Sequence, residues 1–164
     1  MLSQLVGGLV GGRPFGIISV TEFGARGDGT ADDTAAIQAA IDAANGGTVY
    51  LPPGTYRITS PINITVTGTV LIGAARNKSI IQNENASGGH AIVTASGIRG
   101  CTIQHLAISG AAGSGDGIHV STNFGHIRII DVSMSVVGNG VYAESDGIDL
   151  YLESVTVENG LLAA

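Results

Sequence analysis

Two periodicities divide the chain. Up to about Ala44, apolar residues recur at helical spacing, with Ala36, Ile37, Ala40, Ile41 and Ala44 on one face. From Thr48 onward the pattern becomes short β-runs, at residues 48–51, 56–59, 62–66, 69–72 and 79–82. A further short strand is predicted at residues 17–20, ahead of the helix. Thr30-Ala-Asp-Asp33 reads as a capping box for that helix: the Thr30 hydroxyl accepts from the Asp33 N–H, and the Asp33 carboxylate reaches back. Asp32 and Asp33 also suit the positive end of the helix dipole, and Asn45-Gly46-Gly47 is a stop signal. The apolar stripe of the helix must lie on something, and the residues after it are strands.

Later in the chain the runs repeat. Ala91-Ile-Val-Thr, Gly117-Ile-His-Val and Gly140-Val-Tyr-Ala can be laid over one another, and so can Leu106-Ala-Ile-Ser, Val132-Ser-Met-Ser and Val155-Thr-Val-Glu. Ile92, Ile118 and Val141 are 26 and then 23 residues apart, as are Leu106, Val132 and Val155. Two independent anchors with the same pair of spacings predict coils of a parallel β-helix, whose inward side chains stack from coil to coil. A leucine-rich repeat has a similar period, but its regular Leu and Asn signature is absent. The expected fold class is therefore all-β: a short single-stranded solenoid of about four to five coils with an N-terminal capping α-helix. Residues 1–14 read as an apolar arm, 15–47 as the first strand and capping helix, and 48–164 as the β-helix.

Composition agrees with many short strands and tight turns. Of 164 residues 26 are Gly, only 12% are charged and only 4% aromatic. With seven basic residues scattered along the chain and a net charge of −6, no patch exists to neutralise phosphates, so a nucleic-acid partner is not expected. Cys101 lies in an apolar run and reads as a buried structural thiol. The N-terminal stretch has neither the basic residues of a signal peptide nor the length of a membrane span, so no membrane insertion is expected. Leu2, Leu5, Val6, Leu9 and Val10 are nevertheless very apolar for a solvated tail. They read either as a loosely packed terminus or as a docking peptide for assembly onto a partner or sister subunit.

The segment from Val20 to Tyr56 carries Phe23-Gly-Ala-Arg-Gly-Asp-Gly-Thr-Ala-Asp-Asp-Thr, then the helix, then Gly-Gly-Thr-Val-Tyr-Leu-Pro-Pro-Gly-Thr-Tyr. It resembles the opening segment of the pectate-lyase-like right-handed β-helix superfamily. The resemblance implies a helix that plugs the N-terminal end of the solenoid. It does not fix an activity, because similar members include polygalacturonases, exo-glucanases, polysaccharide lyases and the tailspikes and fibres of bacteriophages.

Glycoside hydrolysis needs two carboxyl groups about 5–9.5 Å apart, and the candidates after Cys101 are Asp116, Asp131, Glu144, Asp146, Asp149 and Glu153. Asp116 aligns with His90 and Asn139 in the repeat, and an Asx turn before Gly117 also accounts for it. Asp131 aligns with His105 and Ser154. A carboxylate and an imidazole one coil apart form a candidate general-base pair or, equally, a hydrogen-bonded polar stack. His119 aligns with Val93 and Tyr142 and faces outward if Ile118 faces in. His119, Tyr142 and Phe124 are thus candidates for a glycan-binding face, or simply surface. Ser114-Gly-Asp-Gly-Ile-His and Phe124-Gly-His126 are similar to polygalacturonase elements. The Asn-Thr before the aspartate and the aspartate pair one coil later are missing, so that active site does not carry over. The calcium-dependent lyase pattern with a catalytic Arg is no better matched, since Arg128 is the only Arg after Arg99. Glu144, Asp146, Asp149 and Glu153 offer the oxygens Ca²⁺ takes, as do Asp28, Asp32 and Asp33, but a solvated turn and the helix cap account for them too. No cofactor or bound metal is expected.

A solenoid of about five coils at ~4.8 Å each is short for a groove gripping several sugars. The chain stops directly after a strand, which reads as an uncovered end of the lumen. The favoured expectation is a non-catalytic structural or recognition protein of a virus particle, such as a bacteriophage spike, fibre or decoration protein. Other virion proteins or sister subunits in a homotrimer are its expected partners, with cell-surface polysaccharide as a further ligand. The alternative is an extracellular polysaccharide hydrolase or lyase of the same superfamily.

Overall fold

The short runs pair in parallel with the runs one coil before and after them, winding the chain into a three-faced solenoid. The computed structural model describes residues 16–163 apart from 86, 137, 145, 159 and 160. The first coil holds β1 (Ile18–Ser19), a 3₁₀ turn (Val20–Phe23), β2 (Asp28–Asp32) and helix α1 (Thr34–Ala44). About five coils follow: β3 (Thr48–Leu51), β4 (Gly54–Ile58) and β5 (Ile62–Ile64); β6 (Val70–Gly73), β7 (Ser79–Asn83) and β8 (Ile92–Thr94); β9 (Thr102–Gly110) and β10 (Ile118–Val120); β11 (Gly125–Ser135) and β12 (Asn139–Ala143); and β13 (Ile148–Glu153), β14 (Thr156–Glu158) and β15 (Leu161–Ala163). β1, β3, β6, β9, β11 and β13 make the first face, and β2, β4, β7, β9, β11 and β14 the second. β5, β8, β10, β12 and β15 make the third.

Each strand sends alternate side chains into the lumen, so equivalent residues stack in ladders. One runs Val49, Leu71, Ile103, Ile129 and Leu152; another Tyr56, Ile81, Ile108, Met134 and Val157. On the third face Ile62, Ile92, Ile118 and Val141 stack, which is the register the 26- and 23-residue spacings predict. Most of these side chains are fully buried, and truncating one such as Ile103 to Ala is a change of about 2–5 kcal/mol. Cys101 is buried among them, and burial pushes its thiol up from the ordinary range.

Helix α1 takes the place of a strand on the third face and closes the first coil. Ile37, Ala40 and Ile41 are fully buried, with Ala36 and Ala44 packed beside them, as the apolar stripe predicts. The free edge of β5 is satisfied by a side chain: Gln38 donates from Nε2 to the Asn63 carbonyl (3.0 Å) and accepts from the Asn63 N–H (2.9 Å). One amide thus substitutes for the missing neighbouring strand. Asn45, at φ 46°, ends the helix.

The helix start differs from the expected capping box. Asp33 occupies the cap position without a side-chain cap bond; its buried carboxylate instead accepts from the N–H groups of Arg26 (2.7 Å) and Gly27 (3.0 Å), bracing the glycine-rich turn. Asp32 takes over the cap by accepting from the Thr34 N–H, and Thr30 bonds to Asp28. The predicted strand at 17–20 is cut to two residues, because Ser19 and Glu22 form a capping box of their own for the 3₁₀ turn.

Positive-φ residues also stack. Gly46, Gly68, Gly100, His126 and Asp149 share one corner, Gly97, Asn123 and Asp146 another, and His105, Asp131 and Ser154 the bend between the first two faces. In the first two rows glycines hold these positions early; later coils use Asn, Asp and His, the non-glycine residues most tolerant of this conformation, and Ser154 joins the third row. Among the described residues no helix is long and apolar enough to cross a membrane. The apolar arm residues Leu2, Leu5, Val6, Leu9 and Val10 lie outside the described residues.

Candidate functional site

The outward row of the third face carries Asn63, Val93, His119 and Tyr142 in register. Ile118 and Val120 on either side of His119 are fully buried, which turns the imidazole outward, as the alternation requires. It is nonetheless well covered, at 14% side-chain exposure. His90 stacks on it with ring centroids 4.3 Å apart, and Tyr142 lies 5.2 Å away on the next coil.

Asp116 organises this cluster. It is 7% exposed, and its Oδ1 accepts from the Asn139 N–H (2.8 Å) and from Asn139 Nδ2 (2.9 Å). The Asx turn expected for Asp116 gives way to these bonds across coils. Its Oδ2 points at two imidazoles, 3.1 Å from His90 Nδ1 and 3.5 Å from His119 Nδ1. His90 Nδ1 also accepts the Asp116 backbone N–H at 3.1 Å. On the far side of His119, Nε2 meets Glu144 Oε1 at 3.1 Å, while Glu144 Oε2 accepts from the Thr122 N–H. Burial, and then the neighbouring His119, hold His90 below the usual imidazole range despite the opposing pull of Asp116. The nearest ligand atoms of His90, Asp116 and His119 all lie within 4.8 Å of one another, the arrangement among the described residues best placed to hold a metal.

His105 and Asp131 meet as the repeat predicts, with Nδ1 3.0 Å from Oδ2, at the bend between the first two faces. Arg76, not anticipated from the sequence, completes that pair. Its Nε donates to Asp131 Oδ1 (2.8 Å), Nη2 to the Ser154 carbonyl (2.8 Å) and Nη1 to Thr156 Oγ1 (3.3 Å), so one guanidinium ties successive coils together. The His105 hydrogen bond, followed by Arg76, holds the Asp131 carboxyl below its ordinary range.

The other candidates disperse. Phe124 is buried at 6% exposure, and any side chain at Gly147 would overlap its ring, so it is a core residue and not a sugar platform. Tyr142 stays 37% exposed and keeps that role open. Three of the four acidic residues considered for Ca²⁺ take separate partners: Glu144 bonds His119, Asp149 pairs with His126 at 3.0 Å, and Glu153 accepts from the Tyr151 hydroxyl. Asp146 is exposed at a positive-φ corner. His90 and Glu144 are the cluster members that sequence reasoning missed as partners of His119. A 26-residue step from His90 to Asp116, followed by Ile118 two positions on, was the available signal.

Known proteins share both motif and coil. Mannuronan C5-epimerase AlgE3 of Azotobacter vinelandii is 49% identical over 73 residues, covering 39% of this chain and 4% of the epimerase. ORF18 of Geobacillus virus E2 superposes with a TM-score of 0.66 at 27% identity, over 82% of this chain and 31% of that one. The A-module of mannuronan C-5 epimerase AlgE4, also from Azotobacter vinelandii, gives a TM-score of 0.60 at 26% identity, over 87% of this chain and 50% of the module. The chain thus spans a small part of AlgE3 and half or less of either structure. The family described as rhamnogalacturonase A/epimerase, pectate lyase-like, matches residues 17–105, more than half of the sequence. On that match, with the capped parallel coils behind it, the chain belongs to the rhamnogalacturonase A/epimerase family of pectate-lyase-like right-handed β-helix proteins.

Proposed function

We propose that this chain is a non-catalytic structural and recognition β-helix of a virus particle, of the bacteriophage spike, fibre or decoration type, binding cell-surface polysaccharide on its third face. The observation that carries this is the state of the two carboxylates that the repeat sets beside imidazoles, Asp116 and Asp131. A carboxyl group acting as general acid or base must reach the substrate with a free oxygen. Asp116 is buried with Oδ1 held by Asn139 and Oδ2 between two imidazoles. Asp131 is held by Arg76 and His105. These groups hold coil to coil. The likeness to ORF18 of a Geobacillus virus supports the virion setting, and sister subunits, as in a homotrimer, are the proposed partners. The apolar residues Leu2, Leu5, Val6, Leu9 and Val10 are the proposed docking arm.

A second reading, an extracellular polysaccharide-acting enzyme, is favoured by one feature: His119 sits between Asp116 and Glu144 beside an exposed tyrosine, and the AlgE relatives are epimerases. Both readings are tested on one set of glycans, including alginate, pectin and bacterial capsules. The proposal expects saturable binding, weakened about two- to tenfold by Tyr142→Ala through loss of a stacking ring, and a sedimenting trimer. New reducing ends, unsaturated uronates or inverted C5 centres that disappear in Asp116→Asn would establish the enzyme instead.

A further inference from the structure

We propose that His90 Nδ1, His119 Nδ1 and Asp116 Oδ2 bind one divalent transition-metal ion, with Zn²⁺ the best match. Their hydrogen bonds fix where the lone pairs point. His90 Nδ1 accepts the Asp116 N–H, so it carries a lone pair, yet it faces Asp116 Oδ2 at 3.1 Å. Placing a proton on that nitrogen would turn it against the N–H instead. His119 directs Nε2 at Glu144 Oε1, which in the neutral ring leaves Nδ1 as the lone pair. That Nδ1 is buried without a hydrogen-bond partner and lies 3.5 Å from the same Oδ2, beyond good N–H···O length. Three electron-rich atoms therefore converge with no proton between either imidazole and Oδ2, and the Asp116 N–H that His90 Nδ1 accepts is the bond an ion would displace.

A cation resolves the convergence. Zn–N and Zn–O distances of about 2.0–2.2 Å at near-tetrahedral angles place ligand atoms about 3.3–3.5 Å apart, close to the 3.1 and 3.5 Å from Oδ2 to each nitrogen, while the two stacked imidazoles, whose ligand atoms lie within 4.8 Å, must draw together around the ion. Two imidazoles and one carboxylate suit a borderline metal and not Ca²⁺, which takes six to eight oxygens. The surrounding bonds are those of a supported site. Glu144 on His119 Nε2 fixes tautomer and ring orientation, and Asn139 holds Asp116 so that Oδ2 is the oxygen turned toward the imidazoles. His90 precedes β8, while Asp116 and His119 flank the start of β10, so the ion would clasp adjacent coils. The inference stands whether the face binds glycan or turns it over.

The test uses the untagged full chain, stripped by a chelator and titrated with Zn²⁺ by calorimetry, with Co²⁺ absorption reporting coordination. One equivalent should bind at micromolar Kd or tighter, and saturating Zn²⁺ should raise the unfolding midpoint. His90→Ala and His119→Ala should each weaken binding at least tenfold, and Glu144→Gln about 10- to 100-fold, while His105→Ala binds like the parent. Metal-free far-UV CD controls for folding. If His119→Ala does not fold, His90→Gln, outside any strand, serves in its place. Absence of saturable one-to-one binding, or undiminished affinity in the folded His90 variant, overturns the site.

Discussion

His90–Asp116 and His105–Asp131 are separated by the same 26 residues, yet they differ in their electrostatic completeness. At the bend between the first two faces, the Asp131 carboxylate has an imidazole on one oxygen and the Arg76 guanidinium on the other. On the third face one carboxylate serves two imidazoles, and no Lys or Arg joins Asp116 among the described ion pairs. Asp131 is about one-third exposed, whereas Asp116 is nearly covered. The same repeat step thus yields a screened surface clasp in one place and a buried cluster that attracts cations in the other. Spacing sets which residues meet; burial and the third partner set what the meeting does.

The sharpest way to break that contrast is to delete each carboxylate in metal-free protein. Asp116→Ala strands the Asn139 N–H and side-chain amide in a covered site and should lower stability by about 2–3 kcal/mol. Asp131→Ala should cost no more than about 1 kcal/mol, because water and salt screen its partners. Urea unfolding followed by CD measures both, and equal losses would erase the distinction.

Arg76→Ala should have an intermediate effect, about 1 kcal/mol. Its partners include the Ser154 carbonyl and the Thr156 hydroxyl. Faster hydrogen exchange should therefore concentrate in β13 and β14 and spare β6, which a uniform loss across the solenoid would contradict.

The smallest effect is on pH. The Asp131 carboxyl is held below its ordinary value of 3.8 in the folded chain, so its contribution is present above that value and lost as pH falls through the lower folded one. Below about pH 4 the parent should lose stability more steeply than Asp131→Asn, by a fraction of 1 kcal/mol given its exposure. Parallel acid limbs would show that the pair contributes nothing measurable.

Much of the fold was legible because stacking imposes register: once Ile92, Ile118 and Val141 lie over one another, the strands between corners follow. The apolar face of α1 was legible for the same reason, a fixed period against a fixed core. Corners share the period, but it does not fix which way their side chains turn. Asp32 and Asp33 exchange roles because the turn before α1 buries one carboxylate and exposes the next, and Phe124 turns inward where Gly147 leaves room for its ring. His90 lies in the corner before β8, two residues short of the pattern, and Glu144 lies just past β12. Arg76 was illegible for a further reason: its partners lie 55 to 80 residues away, across coils that no local window spans.

His119 and His90 both turn Nδ1 lone pairs toward a shared carboxylate, that of His119 bare and that of His90 accepting the Asp116 N–H. Long-range ¹H–¹⁵N correlation of the four imidazoles at neutral pH, before and after one equivalent of Zn²⁺, reads this directly. The account predicts His119 with its proton on Nε2 and a pyridine-type Nδ1, a pyridine-type Nδ1 also on His90, and Zn²⁺-induced shifts confined to those two rings. A proton on His119 Nδ1 in the metal-free chain, or Zn²⁺ moving His105 and His126 instead, would contradict it.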